Sequence, residues 1–211
     1  MLFRSSRIET RLRDTDLRVD MENTLMQGGE LTLRVTSSGE HPIVIRLRVP
    51  GWMESPVFCL DGEQIQPALE NGYAVLAVNC AGEHAFTVQA AVPVHTCAAN
   101  LHVRADVGKI ALQKGPFVYC VEQQDNGENL AALQASAVGA EEAPADEALP
   151  GSLPALRVPG RRIVQTAADP QALYADSALR TEPCELLAVP YALWGNRTPG
   201  EMRVWLDAIL P

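Results

Sequence analysis

Leu31-Thr32-Leu33-Arg34-Val35-Thr36 and, shortly after it, Ile43-Val44-Ile45-Arg46-Leu47-Arg48-Val49 decide the fold class of this chain. In both, apolar and polar side chains alternate with a period of two, the pattern of a strand with one face buried and one face wet. The intervening Ser37-Ser38-Gly39-Glu40-His41-Pro42 is rich in turn formers, so the two segments read as consecutive antiparallel strands. Outward from this pair, Asp61-Gly62 and Asn71-Gly72 mark tight turns, because both dipeptides reach positive φ at low cost. Tyr73–Val78 and Phe86–Val92 supply two further apolar runs, so the first hundred residues hold a series of short strands. Strands at that spacing with turns between them indicate a β-sandwich.

The second half repeats the pattern. Lys109-Ile110-Ala111-Leu112, a turn at Gly115-Pro116, and Phe117-Val118-Tyr119-Cys120-Val121 read as a hairpin. Further strands are expected around Arg157-Val158, Ile163-Val164, Glu185–Val189 and Glu201–Leu206. Asp169-Pro170, an N-cap residue before a proline, suggests a single helical turn running toward Leu179. Between Gly115 and Leu156 there are seven acidic residues and no Lys or Arg. Residues 123–150 are therefore expected to form a solvated, mobile insertion. The expected organisation is all-β, with two antiparallel, jelly-roll-like β-sandwich domains over residues 1–98 and 99–211.

At 211 residues with 47% hydrophobic and 20% charged side chains, the chain has an ordinary globular balance. A formal net charge of −9 argues against nucleic acid or an anionic membrane as partner. No apolar run approaches the roughly 20 residues that span a bilayer, and Met1–Arg7 carries basic residues without the apolar segment of a secretory signal. A cytoplasmic location is expected. The five cysteines (Cys59, Cys80, Cys97, Cys120, Cys184) are odd in number and widely spaced, so reduced interior thiols are expected.

No catalytic constellation assembles from local spacing: there is no G-x-S-x-G elbow, no H-E-x-x-H and no glycine-rich phosphate loop. His95 and His102 flank Cys97, but two histidines without a nearby carboxylate make a poor metal site. Glu122 and Asp125 are spaced as an acid–base pair, yet their polar setting predicts a solvated loop with nothing to raise a pKa.

Three longer segments are more particular: Arg46-Leu47-Arg48-Val49-Pro50-Gly51-Trp52, then Gly108–Glu122 with its Gly115-Pro116-Phe117-Val118-Tyr119-Cys120 centre, then Val189-Pro190-Tyr191-Ala192-Leu193-Trp194-Gly195-Asn196-Arg197 running on to Glu201-Met202-Arg203-Val204-Trp205. On physical grounds each is a strand with a packed turn, and Trp52 and Trp194 would be buried corner residues sealing sheet ends. In this order the three resemble the C-terminal β region of the bacterial β-L-arabinofuranosidase family, glycoside hydrolase family 127, over nearly the whole chain. The resemblance implies that the chemistry lies in a helical barrel upstream of this region, where a cysteine nucleophile, an acidic residue and a cysteine-rich zinc site act. No residue of this chain matches those groups, so neither catalytic residues nor zinc are expected in it. One departure stands at Asn79-Cys80-Ala81-Gly82-Glu83, where relatives usually carry a Trp, which puts the packing beside Phe86 in question. The implied role is a non-catalytic scaffold that packs on the helical barrel and supports a homodimer. The alternative is a carbohydrate-binding module for arabinose-containing glycans, with Trp52, Tyr191, Trp194 and Arg197 as its contact residues.

Overall fold

The computed structural model describes residues 5–12, 14–27, 29–143, 153–166, 173–174 and 178–210, with the backbone alone at 27, 40, 41, 79 and 80. The chain is all-β and divides after Pro93 into two units, Met1–Pro93 and Val94–Pro211.

The first unit comprises β1 (Ser5–Leu12), β2 (Thr15–Asn23), β3 (Leu31–Arg48), β4 (Glu54–Leu60), β5 (Glu63–Ile65), β6 (Ala68–Glu70) and β7 (Tyr73–Ala91). They form one antiparallel sheet in the order β1-β2-β3-β7-β4-β5, with β6 beside the first half of β7. Leu31–Val35 and Ile43–Val49 are thus not two strands joined by a turn, because β3 runs through both. The turn formers between them make a bulge instead: Ser37 pairs with Gly82 and His41 with Cys80, so three residues on β3 face one on β7. Gly82 stands at φ +102 opposite the irregularity, and Tyr73–Val78 and Phe86–Ala91 are likewise two halves of one strand. A glycine and a proline favour bulges as well as reversals, and local sequence does not separate the two outcomes.

The bulge shapes the core. Leu33, Val35, Ile43, Leu76, Val78 and Phe86 share one buried cluster. Val35 lies before the irregularity and Ile43 after it, so the cluster draws on both halves of β3. Phe86 is 2% exposed within this cluster, which answers the question raised by the missing tryptophan. The two expected tight turns are present, with Asp61-Gly62 at φ +50 and +87 and Asn71-Gly72 at +53 and +80. Asp61 also ties its turn to β7, accepting from the Ala85 N–H at 2.8 Å and meeting His84 Nδ1 at 2.7 Å.

The second unit contains β8 (Val94–Ala98), β9 (Lys109–Lys114), β10 (Phe117–Glu122), the one-turn helix α1 (Gln123–Asn126), β11 (Leu133–Ala135), β12 (Glu141–Ala143), β13 (Ala155–Thr166), β14 (Ala178–Pro190), β15 (Met202–Arg203) and β16 (Leu206–Ala208). The expected boundary at 98/99 moves to 93/94, because β8 pairs along its whole length with β9. The sheet order is β15-β10-β14-β13-β11-β16-β9-β8, and a further pairing of β9 with β10 closes it on itself. Inside that ring lie Leu112, Tyr119, Val121, Leu133, Leu156, Val158, Leu186 and Leu206, all buried. All pairings are antiparallel except a short parallel one between β11 and β16. From Tyr119 to Val121 β10 is covered on both faces, since Cys120 packs with Ala143, Ala155 and Val189 on the side opposite Tyr119 and Val121. Its uninterrupted apolar run follows from that double burial.

The mobile insertion expected over residues 123–150 is ordered structure from 123 to 143. Leu130, Leu133, Ala135 and Ala143 from this stretch are at most 5% exposed. These four are core residues, and one of the acidic groups, Glu142, meets the buried Lys114 at 2.8 Å. Residues 144–150 lie outside the described part, as does most of the segment expected to form a helical turn after Asp169. The strand expected over Glu201–Leu206 is interrupted at Val204-Trp205, which separates β15 from β16. Of the thiols, Cys120 is buried, Cys59 and Cys184 are half-buried and Cys97 is exposed, so they are not all interior.

Candidate functional site

The most developed polar arrangement in the second unit grows from the end of β10. Glu122, the last residue of the strand, is 3% exposed, and α1 begins immediately after it. The Arg197 guanidinium reaches Glu122 at 2.7 Å and Asp125 at 3.0 Å, with a further, shorter contact to Asp125. The Gly195 N–H donates to the other Glu122 oxygen at 2.9 Å, and Gln124 Nε2 donates to Glu122 at 3.0 Å. Burial pushes the Glu122 carboxyl up, but the Gly195 N–H, the guanidinium and Gln124 together hold it below its ordinary value. The sequence expectation of a solvated pair is corrected here, because both carboxylates are nearly buried and share one cation.

This ionic knot fixes a loop. After Pro190 a 3-10 turn, Tyr191–Leu193, is closed by the Trp194 N–H on Tyr191 O at 3.1 Å. Gly195 at φ +72 then reverses the chain so that Arg197 returns beneath it. Downstream, Gln123 and Glu201 exchange two hydrogen bonds of 3.0 Å, and the Glu201 carboxylate accepts from the Leu130 N–H at 2.8 Å. α1 is held equally firmly: the Asn126 side chain bonds both the N–H and the C=O of Leu187 at 2.9 Å.

Above the knot, Tyr191 and Trp194 stack with ring centroids 6.1 Å apart and planes 17° from parallel. They are 47% and 45% exposed. Trp194 is therefore a surface ring and not a buried corner. Tyr191 also borders an open groove of about 630 Å³ with Val118, Met202, Val204 and Trp205, flanked by Lys109 and Arg203. Of the expected contact residues, Tyr191, Trp194 and Arg197 share one loop, with Arg197 committed to carboxylates below the surface. Trp52 is half-buried on the Pro50–Met53 turn of the first unit, closed by the Met53 N–H on Pro50 O at 3.0 Å.

Among the described residues no three His, Cys, Asp or Glu side chains gather as metal ligands. Burial, and secondarily Glu122, push the Cys120 thiol up to about 12, away from the thiolate form. Among the described residues no helix is long and apolar enough to cross a membrane.

Comparison with known proteins accounts for both units. Residues 1–93 match the model of the β-L-arabinofuranosidase, GH127 middle domain, and residues 94–207 that of the glycoside hydrolase family 127 C-terminal domain. The chain belongs to glycoside hydrolase family 127. It is 35% identical over 175 residues to a non-reducing end β-L-arabinofuranosidase of Bifidobacterium longum subsp. longum, covering 80% of this chain and 26% of that enzyme. A crystal structure of a GH127 β-L-arabinofuranosidase from Geobacillus stearothermophilus T6 superimposes with a TM-score of 0.85 at 29% identity, over 98% of this chain and 33% of that one. A second GH127 structure, a β-arabinofuranosidase at 22% identity, shares the fold with a TM-score of 0.79 over 98% of this chain and 34% of its own. This GH127 chain thus spans between a quarter and a third of the length of such relatives.

In the sequence Trp205 stands inside a motif without a role of its own, and Glu122 reads with Asp125 as an acid–base spacing in a solvated loop. The joining of Glu122 and Asp125 to Arg197 spans more than seventy positions, and no local pattern carries it.

Proposed function

We propose that this GH127 chain is a non-catalytic accessory β region of a β-L-arabinofuranosidase-like glycoside hydrolase, packing on a helical catalytic part through the second unit. The observation that carries this reading is the state of its best-placed carboxylates. A glycosidase acid must hold its proton near neutral pH, which requires a raised pKa. Glu122 is instead held low and shares a guanidinium with Asp125. Such a group anchors a loop and cannot protonate a leaving oxygen.

The groove beside Tyr191 supports the docking half of the reading. Its lining is apolar and aromatic with two cationic ends, and it offers no carboxylate or amide to read sugar hydroxyls. That composition suits a protein face. The stacked, half-exposed Tyr191–Trp194 pair favours the second reading, a platform for an arabinose-containing glycan, since sugar rings stack on such surfaces. Self-association through the second unit belongs to the same family of proposals. A reducing, cytoplasmic setting is part of the proposal too, supported by the free thiols of Cys59, Cys97, Cys120 and Cys184.

The test mixes this chain with the separately produced remainder of the Geobacillus stearothermophilus relative, the two thirds of it that this chain does not cover, in analytical ultracentrifugation. A 1:1 complex weakened by Val118→Asp is expected. No association, association indifferent to Val118→Asp, or saturable glycan binding lost in Trp194→Ala would each overturn the docking reading.

A further inference from the structure

The first unit holds a polar cleft that the accessory role does not use. It is an open concavity of about 530 Å³ lined by Thr24, Glu30, Ser55, Val57, Gln89 and Ala90, among others, within the roughly 300–1,000 Å³ range of small-ligand pockets. Glu30 sits centrally: one carboxylate oxygen accepts from the Thr32 hydroxyl at 3.1 Å and the other from Gln89 Nε2 at 3.3 Å. Each oxygen keeps lone-pair capacity beyond that one bond. The Thr24 hydroxyl donates to Glu30 O at 3.1 Å and accepts from the Glu30 N–H at 3.0 Å, fixing the backbone that carries the carboxylate. Gly29 is required for this, because a Cβ there would lie 2.1 Å from the Thr24 hydroxyl oxygen.

A second, independent observation lies on the facing strand. Glu54 pairs with Ala91 and Val57 with Gln89, so Ser55 and Pro56 together oppose Ala90 in a bulge. Ser55 adopts φ +48. That conformation is unfavourable for a non-glycine residue, and more so immediately before a proline, which drives its predecessor toward extended backbone. Unlike Asp61 and Asn71, whose positive φ belongs to two-residue turns with glycine, Ser55 reverses nothing. Strain of this kind concentrates at ligand sites, and here it falls on a serine that lines the cleft.

We infer that this cleft binds a small neutral polyhydroxylated molecule, a single sugar ring being the apt size, with Glu30, Gln89 and Ser55 reading vicinal hydroxyls. A carboxylate accepts two hydroxyl protons at once, and an amide both donates and accepts, so the pair can bridge neighbouring OH groups. The carboxylate disfavours an anionic ligand, and no ring among the lining residues offers a stacking face for a purely aromatic one. The site is separate from the Tyr191 groove, so its failure leaves the accessory reading intact.

The test is an amide-resolved NMR titration of the full chain with L-arabinose, with ethylammonium chloride as a parallel probe. Saturable shifts at Thr24, Glu30, Ser55 and Gln89 are expected with the sugar alone. Glu30→Gln and Gln89→Ala should each weaken binding by about tenfold or more, and Tyr191→Ala should leave it unchanged. Ser55→Gly separates aim from architecture: it should raise the thermal midpoint by relieving the backbone while weakening arabinose binding. No saturable shift, shifts indifferent to Glu30→Gln and Gln89→Ala, or shifts produced by ethylammonium instead of the sugar would overturn the inference. So would a Ser55→Gly protein that binds as tightly as the parent.

Discussion

Arg197 is the residue on which the second unit's loop depends. Its side chain is 10% exposed and lies between carboxylates that are 4% and 12% exposed. Removing one partner from such a buried set leaves uncompensated charge, so Arg197→Ala should cost about 3–5 kcal/mol in a denaturant unfolding experiment. A cost below about 1 kcal/mol would mean that solvent screens the knot. Glu122 adds a pH dependence whose sign follows from its lowered folded-state pKa. Its contribution to stability is complete above the unfolded value of about 4.3 and is lost as the pH falls through the lower folded value. The stability gap between parent and Glu122→Gln should therefore be constant above about pH 5 and shrink as the solution becomes more acid. Trp194→Ala, by contrast, should cost only about 1 kcal/mol or less, since the ring is already half exposed. A loss of about 3–5 kcal/mol would restore the buried-corner role expected of it from sequence.

At the scale of elements, the alternation in Leu31–Thr36 and Ile43–Val49 was enough to identify strand, face and core residue, because side-chain period is a local property. Leu33, Val35 and Ile43 are all inward, as the pattern requires. Whether Ser37–Pro42 reverses the chain or bulges within it depends on which strand lies alongside, and that partner, Gly82–Asn79, is some forty positions away. The same limit explains the acidic stretch. Its charges read as solvation only while Arg197 and Lys114, the cations that meet Asp125 and Glu142, are unknown partners. Residues 123–143 should accordingly resist broad-specificity proteolysis as well as the flanking strands do. Early cleavage between Gln124 and Glu141 would contradict their burial. Gly160 tests the closed sheet of the second unit. A Cβ there would lie 2.7 Å from Gln134 O on β11 and 2.9 Å from Leu186 on β14. Gly160→Ala should destabilise the unit by about 1–3 kcal/mol, measured by urea unfolding.

For the molecule as a whole, family membership rests on both units, each matched by its own family model. The three ordered segments in the sequence were legible because each combines a strand with a turn of fixed composition. The candidate surface was only partly so: Tyr191 and Trp194 stand out by type, while Val118, Met202 and Val204 become a groove through strand pairing alone. The central claim is that the 211-residue chain is an accessory β region without catalytic power. The direct measurement is hydrolysis of a chromogenic β-L-arabinofuranoside by the purified chain, with and without added zinc. The account predicts no turnover above the buffer rate in either condition. Turnover that persists through purification and disappears in Glu122→Gln, in a sample whose circular dichroism matches the parent's, would contradict it.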